Sequence, residues 1–144
     1  MTQYGFLERS ADRTVGDVLR MKTAAGEIPR FVVVQTHQPV REAISLLHEH
    51  RVSQLPVVSA DDPYTVVGSV GERGLLKAAL HDPSVMTTQI SEVMEAPFTG
   101  VSTVDPVREA VELLTGDTQA LIVSEHGRPV GIVTRTDLLE SLVS

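Results

Sequence analysis

The chain has 144 residues, enough for one compact domain or for two small fused repeats that bury a core. A formal net charge of −7, without any cluster of Lys and Arg, argues against nucleic-acid binding. The absence of cysteine excludes disulfides, thiolate zinc sites and cysteine nucleophiles. Because aromatic residues make up only 3%, the core must consist of aliphatic side chains.

Targeting and catalytic signals are also lacking. The first thirteen residues have no apolar stretch typical of a signal peptide, and no apolar run is long enough to span a membrane. The histidines are scattered, which makes a metal site improbable. Lys22 and Lys77 lack the phosphate-binding loop that a pyridoxal-phosphate lysine would need. We therefore expect a cytoplasmic protein that is not an enzyme, with no catalytic residue, metal or resident cofactor.

An internal repeat organises the chain. The pentapeptide PVREA occurs at 39–43 and again at 106–110, each time after an apolar run, at 31–34 and 99–104. Two more apolar runs follow each copy, the second starting with glycine, and then a Leu-Leu pair in a helical pattern. These matched features are 55–58 with 120–123, 68–70 with 131–133, and Leu75-Leu76 with Leu138-Leu139.

Each copy predicts strand, helix, strand, strand and helix in that order. Pro39 and Pro106 suit the first turn of the first helix, where a missing N–H is tolerated. The predicted fold is α/β, with two pseudo-symmetric β-α-β-β-α repeats packed as one module. The predicted divisions are a lead-in at 1–28, repeat one at 29–81, a linker at 82–97 and repeat two at 98–144.

Two motifs resemble cystathionine-β-synthase (CBS) domains, two of which in tandem form a Bateman module. One is HRVSQLPVV at 50–58, and the other is GIVTRTDLL at 131–139. The resemblance covers roughly residues 14–143, within the usual accuracy of predicted boundaries. The segments at 68–76, 119–123 and 4–7 are similar, more narrowly, to the regulatory region of bacterial cystathionine β-synthase. That likeness implies a pyridoxal-phosphate catalytic domain in a parent protein.

The resemblance implies a site for an adenosyl ligand. In the family the carboxylate matching Asp137 accepts hydrogen bonds from both ribose hydroxyls, with Thr134 beside it. Gly131 would allow close backbone approach, and Ile132 and Val133 would flank the adenine. In the family the cleft is shared between repeats. The remaining residues expected at the ligand are Arg135 in the second repeat, and Val52, Ser53, Gln54, Leu55 and, more weakly, Val32 in the first.

Several alternatives stay open. Thr134 and Asp137 alone also fit a helix cap, which is the more common use of such a tetrapeptide. Gly71 and Gly74 occupy the matching positions of the first repeat, so we expect one competent site per chain. The effector could be S-adenosylmethionine, AMP or ATP. Ser53 stands where some relatives place an acid next to the amine of S-adenosylmethionine.

Three functions fit these residues: a regulatory module of a cystathionine-β-synthase-like enzyme, a free-standing adenine-nucleotide sensor, or a structural dimerisation module with a vestigial site. The presence of Thr134 and Asp137 argues against the third. Adjacent leucines point about 100° apart on a helix, so one of each Leu-Leu pair should face outward. With Leu142 and Val143, these leucines predict a homodimer through the terminal helices.

Overall fold

The computed structural model describes residues 13–23 and 31–143. These residues form two compact units. One combines the described parts of Met1–Phe31 and Phe98–Ser144, and the other is Val32–Pro97. Each unit contains one three-stranded sheet, and the described chain has five α-helices. The mixed α/β fold that the repeat predicts is therefore confirmed.

The elements follow one another as two matched series. In chain order they are helix α1 (Val15–Arg20), strand β1 (Val34–Gln35), helix α2 (Val40–His50), strands β2 (Gln54–Val58) and β3 (Val66–Gly71), helix α3 (Glu72–His81), strand β4 (Thr99–Ser102), helix α4 (Val107–Leu114), strands β5 (Ala120–Glu125) and β6 (Arg128–Thr134), and helix α5 (Arg135–Leu142). Two 3₁₀ segments, Pro83–Thr87 and Ile90–Glu92, follow α3. Within the described ranges, no helix is both long and apolar enough to cross a bilayer.

Both repeats have the predicted order of elements and the same sheet topology. In the first, β1 pairs parallel with β2, and β2 pairs antiparallel with β3. In the second, β4, β5 and β6 pair in the same way. His126 and Gly127 take left-handed backbone conformations in the tight turn between β5 and β6.

The first strand of each repeat is shorter than its apolar run predicts. The amide of Gln35 donates to the side chain of Gln38 at 2.7 Å, and the amide of Ser102 donates to Asp105 at 2.8 Å. These side-chain acceptors hold the turn from each strand into the following helix, while the amides of Thr36 and Thr103 still donate to the neighbouring strands. Pro39 and Pro106 are therefore N-caps with extended backbone, one residue before the first helical turn.

Two segments outside the repeated pattern contribute side chains to the two hydrophobic cores. Val15, Val18 and Leu19 of α1 are buried in one cluster with Leu121 and Val133 of the second sheet. In the unit Val32–Pro97, buried Ile90 and the partly buried Val93 and Met94 pack against the first sheet. The spacing Val15-x-x-Val18-Leu19 recurs as Ile90-x-x-Val93-Met94. The segments before the repeats are thus structural parts of the fold.

The glycine that starts the third apolar run of each repeat is required by this packing. A Cβ at Gly131 would lie 2.9 Å from Cδ1 of Leu19, and a Cβ at Gly68 would lie 2.7 Å from Sδ of Met94. Both distances are shorter than real Cβ contacts, so a neighbouring group would have to shift. The glycines therefore let the segment before a repeat approach the sheet closely.

Replacing these glycines should destabilise the protein. We expect Gly68→Ala and Gly131→Ala to lower the free energy of unfolding by about 1–3 kcal/mol each, the usual cost of overpacking. Gly100→Ala is the matched control, because a Cβ there meets no atom within 4 Å. Urea unfolding followed by circular dichroism measures all three. Equal midpoints for Gly131→Ala and Gly100→Ala would contradict the packing role.

Candidate functional site

The Asp137 carboxylate lies in the first turn of α5, directly after β6. The amide of Thr134 donates to Oδ2 of Asp137 at 2.9 Å, and the Thr134 hydroxyl donates to the same oxygen at 3.1 Å. The amide of Asp137 donates to the Thr134 hydroxyl oxygen at 3.4 Å, which completes a capping box. The helix cap that the sequence also allowed is therefore present, and its hydrogen bonds fix the orientation of the carboxylate.

A lysine from the other end of the sequence contacts this carboxylate. The Nζ of Lys22 lies 3.0 Å from Oδ2 of Asp137 and donates to the carbonyl oxygen of Ile132, also at 3.0 Å. The Asp137 side chain is only 11% exposed, whereas that of Lys22 is 30% exposed. The sequence patterns did not single out Lys22 as a partner of Asp137. The spacing shared by the segments at Val15 and Ile90 could have indicated that the segment before Lys22 packs onto a sheet.

The two carboxylate oxygens of Asp137 differ in the number of hydrogen bonds that they accept. Oδ2 accepts from Thr134 N, Thr134 Oγ1 and Lys22 Nζ. Within the described residues, no group donates a hydrogen bond to Oδ1. A carboxylate can accept about four hydrogen bonds over its two oxygens. Among the described residues, Oδ1 thus keeps its capacity to accept hydrogen bonds, and Oδ2 is saturated by protein donors.

Arg135 is engaged in structure at the end of α4. Its Nε donates to the carbonyl oxygen of Leu114 at 2.6 Å, and its Nη2 donates to the carbonyl oxygens of Gly116 and Thr118 at 3.2 and 3.1 Å. These carbonyl groups lie at the C-terminal end of α4 and in the loop after it, where a cation is favourable. The geometry assigns Arg135 a stabilising role, and its contact with a ligand stays a prediction.

The three residues before Thr134 differ in accessibility. Val133 is fully buried in the aliphatic core, and Gly131 is buried against Leu19. Ile132 is half-buried, and side chains alternate between the faces of a strand. Of the two residues expected to flank adenine, Ile132 thus has accessible side-chain surface and Val133 does not. The missing side chain of Gly131 serves packing.

The predicted ligand residues of the first repeat surround the start of β2. Val52 and Ser53 are exposed, Gln54 is half-buried and Leu55 is buried. Val32 is partly buried against the core of its unit. An open pocket of about 610 Å³ includes Val52 and Ser53 in its wall. Its other lining residues are Leu47, His48, Glu49, Arg51 and Glu72.

The matching positions of the first repeat cannot hold a ribose in the same way. Gly71 and Gly74 have no side chain, and Oε1 of Glu95 lies 2.9 Å from where a Cβ of Gly74 would stand. An aspartate at position 74 would bring its carboxylate against that of Glu95, and like charges in contact are unfavourable. The second repeat has the opposite arrangement, with Lys22 beside Asp137.

A family model described as CBS domain matches residues 15–81 and 90–144, most of the chain. The chain belongs to the CBS-domain family. The two matches make it a tandem CBS pair, which is the arrangement that the repeat predicts. The first match includes the segment at Val15, and the second includes the segment at Ile90; both segments pack onto the sheets.

The proteins that are similar to this CBS pair differ from one another in kind. It is 34% identical over 115 residues to A-adding tRNA nucleotidyltransferase of Aquifex aeolicus, but it spans only 13% of that protein's length. The structure of CBSX2 in complex with AMP has a TM-score of 0.70 and 24% identity, and the alignment covers 91% of this chain and 96% of that one. The CBS domain of a bacterial CNNM/CorC family Mg²⁺ transporter in complex with ATP has a TM-score of 0.76 and 19% identity. That alignment covers 97% of this chain and 94% of the other. These two structures support the fold.

Removal of the Arg135 guanidinium tests its structural role. We expect Arg135→Met to lower the free energy of unfolding by about 1–2 kcal/mol, because several carbonyls lose a charged donor. Arg108→Met removes the same charge from an exposed position on α4 and should change stability little. Denaturant midpoints of both variants provide the comparison. If the Arg108 and Arg135 variants unfold alike, the contacts to the α4 end contribute no stability.

Proposed function

We propose that this CBS pair is a regulatory module that binds one adenosyl ligand per chain, with Asp137 as the group that grips the ribose. The observation that carries the proposal is the capped carboxylate of Asp137, which is held by Thr134 and keeps Oδ1 open. Among the described residues, no group of His, Asp and Glu could hold a metal ion. The Asp137 carboxylate offers a hydrogen-bond acceptor to a small molecule.

The chemistry of a ribose suits a carboxylate. A cis-diol offers two adjacent O–H donors, and an ionised carboxylate is an acceptor with two oxygens. Hydrogen bonds to a charged acceptor are shorter and stronger than those between neutral groups. Since Thr134 already fixes the carboxylate, binding would not have to order a flexible side chain. We propose Ile132, Gln54, Val52 and Ser53 as further contacts, on the strength of their accessible surface and the family resemblance.

AMP is the first ligand that we would test. Structures with this fold are described in complex with AMP and with ATP, which supports an adenine nucleotide. The net charge of −7 gives little attraction for a triphosphate. S-adenosylmethionine remains a second candidate, since it has the same adenosine half and carries positive charge. The acid that some relatives use for its amine is replaced by Ser53.

The protein that this module regulates is a separate proposal. The segments 68–76 and 119–123 support a cystathionine-β-synthase-like pyridoxal-phosphate enzyme in the cytoplasm. The match to a small part of a tRNA nucleotidyltransferase equally supports other parent proteins, or a free-standing nucleotide sensor. An upstream domain with a pyridoxal-phosphate lysine in the same reading frame would favour the first. The same module without such a domain would favour the sensor.

We also propose a homodimer through the terminal helices. Leu75 is 4% exposed and its neighbour Leu76 is 64% exposed, while Leu138 is 8% and Leu139 64% exposed. One leucine of each pair thus faces solvent in the single chain, as the helical spacing predicts. Leu80 on α3 and Val143 after α5 add apolar surface beside them. Exposed apolar surface of this kind is typical of an interface.

Replacing Asp137 tests the ligand site. We expect calorimetry with AMP to give one site per chain, and Asp137→Ala to weaken binding by about 1.5–3 kcal/mol, the value of hydrogen bonds to a charged group. The control is Asp17→Ala, because Thr14 and Asp17 form the same capping box on α1. That variant loses a helix cap but no proposed ligand contact.

The comparison separates the cap from the ligand site. If Asp17→Ala binds AMP as the unmodified chain does and Asp137→Ala does not, the carboxylate has a ligand role. Unchanged affinity in Asp137→Ala would reduce Asp137 to a helix cap. Two equivalent sites per chain would contradict the view that Gly71 and Gly74 disable the first repeat.

The dimer is tested by light scattering after gel filtration. We expect a mass of twice 15.6 kDa for the unmodified chain, and a monomer for Leu139→Glu, because a buried unpaired charge is unfavourable. Val104→Glu is the control, since Val104 is also exposed, at 77%, but lies outside the helices. A mass of 15.6 kDa for the unmodified chain, with and without AMP, would refute the dimer.

A further inference from the structure

The contact between Lys22 and Asp137 occupies the oxygen that a ribose diol would need. Two adjacent hydroxyls that bind a carboxylate in parallel use both of its oxygens. Oδ2 of Asp137 already accepts two hydrogen bonds from Thr134 and one from Lys22. These three donors already exceed the two lone pairs of one carboxylate oxygen. A diol that uses both oxygens must therefore displace one of the three donors.

Lys22 is the donor that can leave most readily. The amide and hydroxyl of Thr134 are fixed by the junction of β6 and α5, and their loss would uncap the helix. The Lys22 side chain is flexible and 30% exposed, so water can solvate its ammonium group after displacement. Its second acceptor, the carbonyl oxygen of Ile132, lies on β6 and stays in place. The difference in anchoring singles out Lys22.

We propose that Lys22 is a displaceable competitor for the ribose-binding carboxylate, and that binding of an adenosyl ligand releases its ammonium group from Asp137. This inference rests on the proposed function and adds a residue that sets the affinity of the site. In the ligand-free state Lys22 neutralises a carboxylate that is 11% exposed. The ligand exchanges that ion pair for two hydrogen bonds from its hydroxyls. Affinity is therefore lower than the carboxylate alone would give.

Removal of the competitor should strengthen binding of a neutral nucleoside. Adenosine is the probe, because it has the diol but no phosphate that a lysine could attract. We expect Lys22→Met to bind adenosine about 2- to 5-fold more tightly in calorimetry, the scale of a partly exposed ion pair. Lys22→Arg keeps the charge and the donors, so it should bind no more tightly than the unmodified chain. Lys77→Met removes the chain's other lysine, on α3, and should leave the affinity unchanged.

The release of the amine is measured directly by competitive labelling with acetic anhydride, followed by mass spectrometry. We expect acetylation of Lys22 to rise when the chain is saturated with adenosine or AMP. Lys77 serves as the internal reference, because it is exposed and forms no proposed ligand contact. Protection of Lys22 by either ligand would overturn the proposal, since it would mean that the ammonium group binds the ligand.

The outcomes separate this proposal from the function on which it rests. Tighter adenosine binding by Lys22→Met, with increased labelling of Lys22 in the unmodified chain, supports the competition. Equal or weaker binding by Lys22→Met overturns it and leaves the adenosyl site in place. If neither the unmodified chain nor Lys22→Met binds adenosine or AMP, the proposed function itself is wrong and the competition fails with it.

Discussion

Each three-stranded sheet of this protein needs apolar cover that its own repeat does not supply. The cover comes from a short segment that precedes a repeat in sequence. Leu19 of α1 packs onto the second sheet at Gly131, and Met94 packs onto the first sheet at Gly68. Burial of aliphatic side chains is the dominant favourable contribution to folding, so this packing determines where the following residues lie. Lys22 comes three residues after Leu19, and it is this packing that brings it to Asp137.

The two repeats differ in charge at the same place in the fold. In the second, the start of α5 has Thr134 and Asp137, and the packed segment contributes a lysine. In the first, the start of α3 has glycines, and the packed segment contributes Glu95. A carboxylate is thus present near both helix starts, but from different parts of the chain. In the second repeat the carboxylate pairs with a lysine, and in the first repeat Gly74 brings no second carboxylate against Glu95.

Much of this structure could be predicted from the sequence, because repeated patterns report local structure directly. The PVREA pentapeptide, the apolar runs and the Leu-Leu pairs gave the order of elements and the outward direction of Leu76 and Leu139. The capping box at Thr134 could also be predicted, since it depends on four consecutive residues. The same tetrapeptide pattern caps α1 at Thr14, so the pattern alone does not identify a ligand site.

Contacts between distant residues could not be predicted in the same way. Lys22 and Asp137 are 115 positions apart, and no local pattern links them. The role of Arg135 at the end of α4 depends on carbonyl groups, which side-chain patterns do not reveal. Each of these features depends on tertiary packing.

A crystal structure of the chain grown with AMP would test the central claim most directly. The account predicts both ribose hydroxyls within hydrogen-bonding distance of the Asp137 carboxylate, with Thr134 still capping α5. It also predicts that the Lys22 ammonium group has left Oδ2. AMP bound elsewhere, with the ion pair between Lys22 and Asp137 intact, would contradict the account.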